Sequence, residues 1–180
     1  MATLIQHFLS TYSALFKISL LLQSPAICPR SLFVLTLISI QSILLPIFLA
    51  LFLLDEVNIW HFTALRFEEV FVTCLFIYLF LQLSPFKSRF VQCTISYIGT
   101  SLFFYCLCFL ISVFSVYIKA SIIPFFWLVL WMFGFKAHIL KATLQLSLTG
   151  ALMCVFLIEF FLRSSYYDPL LLIYHSFFIL

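Results

Sequence analysis

The chain has 180 residues, 66% hydrophobic, 20% aromatic and 8% charged, with 9 Lys+Arg against 6 Asp+Glu. Soluble domains run near 45–50% apolar and about 25% charged because their surfaces meet water, so this composition excludes a soluble globular domain. The net charge of +3 is scattered rather than gathered into the basic stripe that nucleic acid requires. The mean hydropathy of +1.26 makes lipid the expected solvent.

The expected fold class is all-α: a polytopic integral membrane helical bundle of five transmembrane helices with an N-terminal interfacial amphipathic helix, forming one membrane domain over residues 1–180. Residues 2–22 place Thr3, Gln6, Ser10, Ser13 and Lys17 on one stripe, opposite Leu4, Ile5, Phe8, Leu9, Tyr12, Leu15 and Phe16. That pattern predicts a helix lying in the membrane interface. Lys17 interrupts the apolar run, so a secretory signal is not expected. Gln23-Ser24-Pro25 stops the helix.

Span one covers about 32–54, with Pro46 freeing the carbonyl of Ser42 and predicting a kink. Asp55-Glu56-Val57-Asn58 ends it, and Trp60 with His61 marks an interface. Span two covers 63–83, and its Arg66 and Glu69, three residues apart, are placed to pair. Ser84 to Arg89 reads as a short basic turn.

Span three, about 90–116, carries Gln92, Ser96 and Gly99 on one face. They form a candidate helix-packing seam, because small residues let membrane helices approach closely. Span four covers 122–141, with Pro124 in its first turn, where a missing donor costs little. Residues 142–147 contain neither Gly nor Pro, yet 122–162 as one helix would run about 60 Å, twice the hydrocarbon core. A turn is therefore expected there and span five over 144–162. The apolar tail 169–180, about 12 residues, is too short to cross and is expected to lie in the interface or dock on the bundle.

Five spans put Lys17, Arg30, Lys87, Arg89, Lys136 and Lys141 on one side, and Arg66, Lys119, Arg163 and every acidic residue on the other. Lys and Arg collect in cytoplasmic loops, so the N-terminus is expected in the cytoplasm and the C-terminus outside.

Span four aligns Trp127, Trp131, Gly134, His138, Lys141 and Gln145 at spacings of three and four. Trp131, His138 and Lys141 are candidate lipid or partner contacts, the aromatic against an apolar body and the basic pair against an anionic head. The alternative is a packing seam whose polar end emerges into water with its lysines snorkelling. Glu159, four residues before Arg163, is expected to pair with it at the outer end of span five. With these boundaries no span holds an Asp, Glu, Lys or Arg in its middle third, which argues against an ion-coupled carrier.

HExxH, GxSxG, P-loop and GxGxxG patterns are all missing from the sequence, so no enzyme activity and no cofactor are expected. The six cysteines are expected as free thiols. Cys106 and Cys108 point about 200° apart on a helix and lack His or acidic neighbours, so no metal site is expected.

Ser88-Arg89-Phe90-Val91-Gln92-Cys93-Thr94, followed by Gly99-Thr100, resembles the run that opens the third span of small proteobacterial inner-membrane proteins of the Yip-like group. Trp131 with Ala137-His138-Ile139-Leu140-Lys141-Ala142-Thr143-Leu144 resembles the end of their fourth span, and Ser24-Pro25 through Arg30-Ser31 resembles the segment ahead of their first. Members often carry Gln-Thr where this chain has Gln92-Cys93, and a proline where it has Leu144 to Ser147. The resemblance implies a five-pass bundle in the bacterial inner membrane with no agreed activity. Eukaryotic relatives act in membrane trafficking through small GTPases, a role for which this sequence shows no sizeable cytoplasmic domain.

The expected function is that of a non-enzymatic structural or interaction protein, packing its helices against another copy of itself or a partner membrane protein. The alternative is a lipid- or small-hydrophobe-binding or transport protein with its site at the cytoplasmic end of span four. Membrane lipids are expected partners and nucleic acid is not.

Overall fold

The structure is a computed structural model and describes residues 2–19, 24–53, 59–118 and 123–164. Among them every regular element is helical: α1 (Ala2–Ser19), α2 (Leu32–Leu53), α3 (Ile59–Gln82), α4 (Phe90–Ile118), α5 (Ile123–Leu144) and α6 (Leu148–Ser164), with 3-10 turns at Pro25–Ile27 and Lys87–Arg89. The tail 169–180 and the loop 54–58 lie outside the described residues. The helix α2 continues past Pro46 to Leu53.

Helix α4 is the axis of the bundle and packs against α1, α2, α3 and α5, while α6 closes against α5 and α3. Its residues 92–102 are buried without interruption, which a helix manages only when neighbours cover it all round. Two helical stretches are long and apolar enough to cross a membrane, Leu32–Leu51 with mean hydropathy 2.4 and Lys87–Ile111 with 1.8. Phe126–Leu144 and Leu148–Leu162 pass together as a pair bent by 117°. Two to three candidate spans are consistent with an integral membrane protein. The outward residues suit lipid as well: Leu44, Phe48 and Leu51 on α2, Phe71 and Leu75 on α3, and Met153, Phe156 and Phe160 on α6 are all exposed.

The break between α5 and α6 falls at Gln145–Ser147, within the stretch where length demanded a turn. Gln145 adopts φ 55, the left-handed conformation that ends many helices and is usually left to Gly. Ser147 then caps α6 by accepting from the Gly150 backbone N–H at 3.1 Å, taking up a donor that the first turn leaves unpaired.

The N-terminal helix packs against the bundle. Thr11, Ala14, Leu15 and Ile18 are buried at the spacing of a single helical stripe, while Gln6, Ser10, Ser13 and Lys17 face outward. The covered stripe meets the bundle's flank. Tyr12 stands near Cys106, Leu15 lies on Gly99, and Cys28 and Ala26 reach Ser96 and Gln92. The N-terminal segment therefore runs antiparallel to α4 over much of its length, and Tyr12 donates to Gln41 in the middle of α2. Gly99, a position with no side chain, leaves Leu15 the room to lie against α4.

Candidate functional site

Two ion pairs, one half-buried and one buried, lie inside the bundle. On α3, Arg66 Nη1 stands 2.5 Å from Glu69 Oε2 and also donates to the Tyr105 hydroxyl at 2.9 Å. That hydroxyl donates in turn to Glu69 Oε1 at 2.7 Å, and the guanidinium lies 4.9 Å from the ring centre of Phe62. On the other side, Lys136 of α5 donates to Glu159 Oε1 of α6 at 2.6 Å. The Lys136 ammonium sits 4.9 Å from the ring centre of Tyr97.

Helical periodicity assembles this cluster. Arg66, Glu69 and Thr73 follow the three- and four-residue rhythm that keeps side chains on one face, and Tyr97, Ser101 and Tyr105 stand four apart on α4. Between them lies a chamber of about 20 Å³ lined by Ser42, Glu69, Thr73, Tyr97, Ser101, Tyr105 and Lys136, with Val70 and Ile98. Measured as room for water centres, that volume holds about one water molecule. Tyr97 is 1% exposed, and its hydroxyl has no hydrogen-bond partner among the described residues.

Glu159 pairs with Lys136 across helices; the expected Glu159–Arg163 pair falls on a side chain outside the described ones. One expectation is corrected, for ionisable groups reach the middle of the helices. Since α3 begins at Ile59 and α5 continues to Leu144, Glu69 and Lys136 both fall in the middle third of their helices. The sequence placed those ends four residues late and three residues early, which pushed both groups toward the ends. Burial of such charges is costly, and each is retained here with an opposite charge in contact.

The candidate packing seam on α4 is occupied from within. Gln92 donates to the carbonyls of Ala26 and Cys28, both at 2.9 Å, and accepts from Arg30 Nε at 3.2 Å. Ser96 donates to the Gln92 carbonyl at 2.8 Å and stands 3.2 Å from the Cys28 sulfur. At Gly99 a Cβ would come within 2.7 Å of Leu15.

The other candidate stripe looks out of the bundle. Trp127 and Trp131 are exposed, Trp131 also meeting Phe104 edge-on with centroids 5.6 Å apart. Gly134 is exposed, with nothing among the described residues within 4 Å of where a Cβ would stand. Lys141 is exposed and His138 half-buried. The two faces of α5 thus differ sharply, for Phe135, Ile139 and Leu140 are fully buried.

All six cysteines are free, and among the described residues no group of three His, Cys, Asp or Glu side chains is placed to hold a metal ion. Tyr97, Tyr105, Ser42 and Thr73 did not stand out in the sequence. The four-residue spacing of Cys93, Tyr97, Ser101 and Tyr105 was the one signal that could have drawn them together. The chain matches no family model, no curated protein and no solved structure.

Proposed function

We propose that the chain is a non-enzymatic, polytopic protein of the bacterial inner membrane, Yip-like, that works through contacts between its helices and a second membrane protein or another copy of itself. The observation behind this reading is the open face of α5, where Gly134 lies bare between the exposed Trp127 and Trp131 and the polar end at Lys141. A small residue flanked by large ones lets a neighbouring helix approach closely. The α4 seam is unavailable for this, being filled by the chain's own N-terminal segment.

The five crossings are α2 to α6. Arg66 and Lys136 are paired inside the bundle, so neither counts as a loop charge. Lys17 lies alongside the middle of α4 next to the Phe16–Phe103 contact and is not counted either; Arg30, Lys87, Arg89 and Lys141 then face Lys119 and Arg163, and the first group marks the cytoplasmic side. Single-cysteine labelling in a cysteine-free background should reach Ser88 from the cytoplasm and Asn58 from outside. Reaction of both from one side would contradict the five-span topology.

Oxidative crosslinking through Gly134→Cys in native membranes tests the interaction itself. A crosslinked dimer or hetero-adduct is expected, and monomer alone with no copurifying protein would contradict the reading. A second reading, an anionic lipid on the same face, is favoured by His138 one helical turn from the exposed Lys141. Native mass spectrometry should then show retained lipid that is lost in His138→Ala with Lys141→Ala.

A further inference from the structure

The two ion pairs and the outer face of α5 leave one buried group unexplained. Tyr97 is 1% exposed, and its hydroxyl finds no hydrogen-bond partner among the described residues. A buried hydroxyl left unsatisfied is costly, and phenylalanine would fill the same space without that cost. Buried polar groups ordinarily have a partner, so the Tyr97 hydroxyl points to one that the chain's own side chains do not supply.

The wall on which Tyr97 stands holds hydrogen-bonding capacity of both kinds. It includes Ser42 of α2, Glu69 of α3, Ser101 of α4 and Lys136 of α5. Ser42 and Ser101 give their own protons to the carbonyls of Ser39 and Tyr97, which leaves their oxygens as acceptors. A carboxylate has about four lone-pair sites, and Glu69 uses its oxygens on Arg66 and Tyr105. An ammonium has three donors, and Lys136 places one on Glu159. Donors from Tyr97 and Lys136 and acceptors from Glu69, Ser42 and Ser101 therefore border the same space.

Size and charge select the occupant. The chamber of about 20 Å³ has room for about one water molecule, which excludes organic solutes. Arg66, Glu69, Lys136 and Glu159 already cancel in pairs, so a metal cation or a halide would add an uncompensated charge to a low-dielectric interior. Water is neutral and both gives and accepts hydrogen bonds. Cavities that stay dry are apolar ones, and this one is polar.

We propose that the chamber is a binding site for one resident water molecule, which accepts from the Tyr97 hydroxyl and donates to acceptors on the wall, the Glu69 carboxylate among them. The water joins α4 to its neighbours through hydrogen bonds that no side chain makes directly. It also solvates Glu69 and Lys136, offsetting part of the desolvation cost of the two ion pairs.

The experiment uses the full-length protein in detergent micelles, exposed to X-ray-generated hydroxyl radicals and read by mass spectrometry. Radicals form at internal water as well as in bulk, so a residue touching a bound water gains oxygen where bulk solvent cannot reach it. Tyr97 should be labelled, and Phe135, fully buried and not on the chamber wall, should not. Tyr97→Phe should lower the thermal midpoint by about 2–4 °C, because a hydrogen bond to the water is lost. Three results would each overturn the proposal: Tyr97 labelled no more than Phe135, a midpoint unchanged or raised in Tyr97→Phe, as removal of a dry hydroxyl would give, or a midpoint in the unaltered protein that falls when sodium is replaced by choline or chloride by gluconate, as an ion in the chamber would give. If Tyr97→Phe does not fold, the labelling of the unaltered protein decides alone.

Discussion

Gly99 and Gly134 sit on adjacent helices and serve opposite purposes. At Gly99 the chain's own Leu15 fills the space where a side chain would stand; at Gly134 none of the described residues does. Each site carries a glycine on its helix face, the kind of small residue that lets membrane helices approach closely. The difference teaches that such a signature marks close approach without saying whose helix approaches. On α4 the approaching segment is covalently continuous with the bundle, and Gln92 fixes it by bonding two of its carbonyls. On α5 the approach has been left open.

The comparison is hardest to break on the inner side of α5. Glu159→Leu alone leaves Lys136 buried with its charge uncompensated, and thermal unfolding in detergent should show a loss of about 3–5 kcal/mol. Adding Lys136→Met should recover most of it, since a matched apolar pair has no desolvation cost. Equal losses in the single and double variants would mean that the pair does not carry the penalty.

The two glycines should separate under one substitution. Gly99→Leu forces Leu15 away and should cost about 1–3 kcal/mol. Gly134→Leu should stay within about 0.5 kcal/mol while weakening copurification of the partner or second copy from native membranes. Equal costs at both positions would erase the distinction between a filled and an open face.

The smallest effect is expected at the turn between them and α6. Gln145 holds a left-handed conformation that a Cβ disfavours, so Gln145→Gly should raise stability by up to about 1 kcal/mol. A loss would show that the Gln145 side chain contributes more than its backbone strain costs.

Hydropathy made most of the bundle legible, because a helix surrounded by lipid or by other helices must be apolar for about 20 residues. The turn at Gln145 followed from length alone. The Arg66 and Glu69 pair was visible as neighbours one turn apart, and their third partner, Tyr105, was not, since it comes from another helix. The Lys136–Glu159 pair was hidden for the same reason, since the two residues stand 23 apart in the chain and only the fold brings them near. The amphipathic pattern of residues 2–22 put Gln6, Ser10, Ser13 and Lys17 outside and Leu15 inside, but Leu9 and Phe16 of its apolar face are exposed while Thr11 is buried. It left acyl chains and the bundle both open as what the apolar face meets, and α4 meets it at Leu15.

That assignment is the centre of the account and can be tested in place. A photoreactive benzophenone side chain introduced at Leu15, activated in native membranes and followed by mass spectrometry, reports which chain lies against this position. The account predicts intrachain adducts to the α4 segment around Gly99, with the same probe at Gly134 giving adducts to other molecules. Adducts from position 15 to lipid or to a second protein would contradict it.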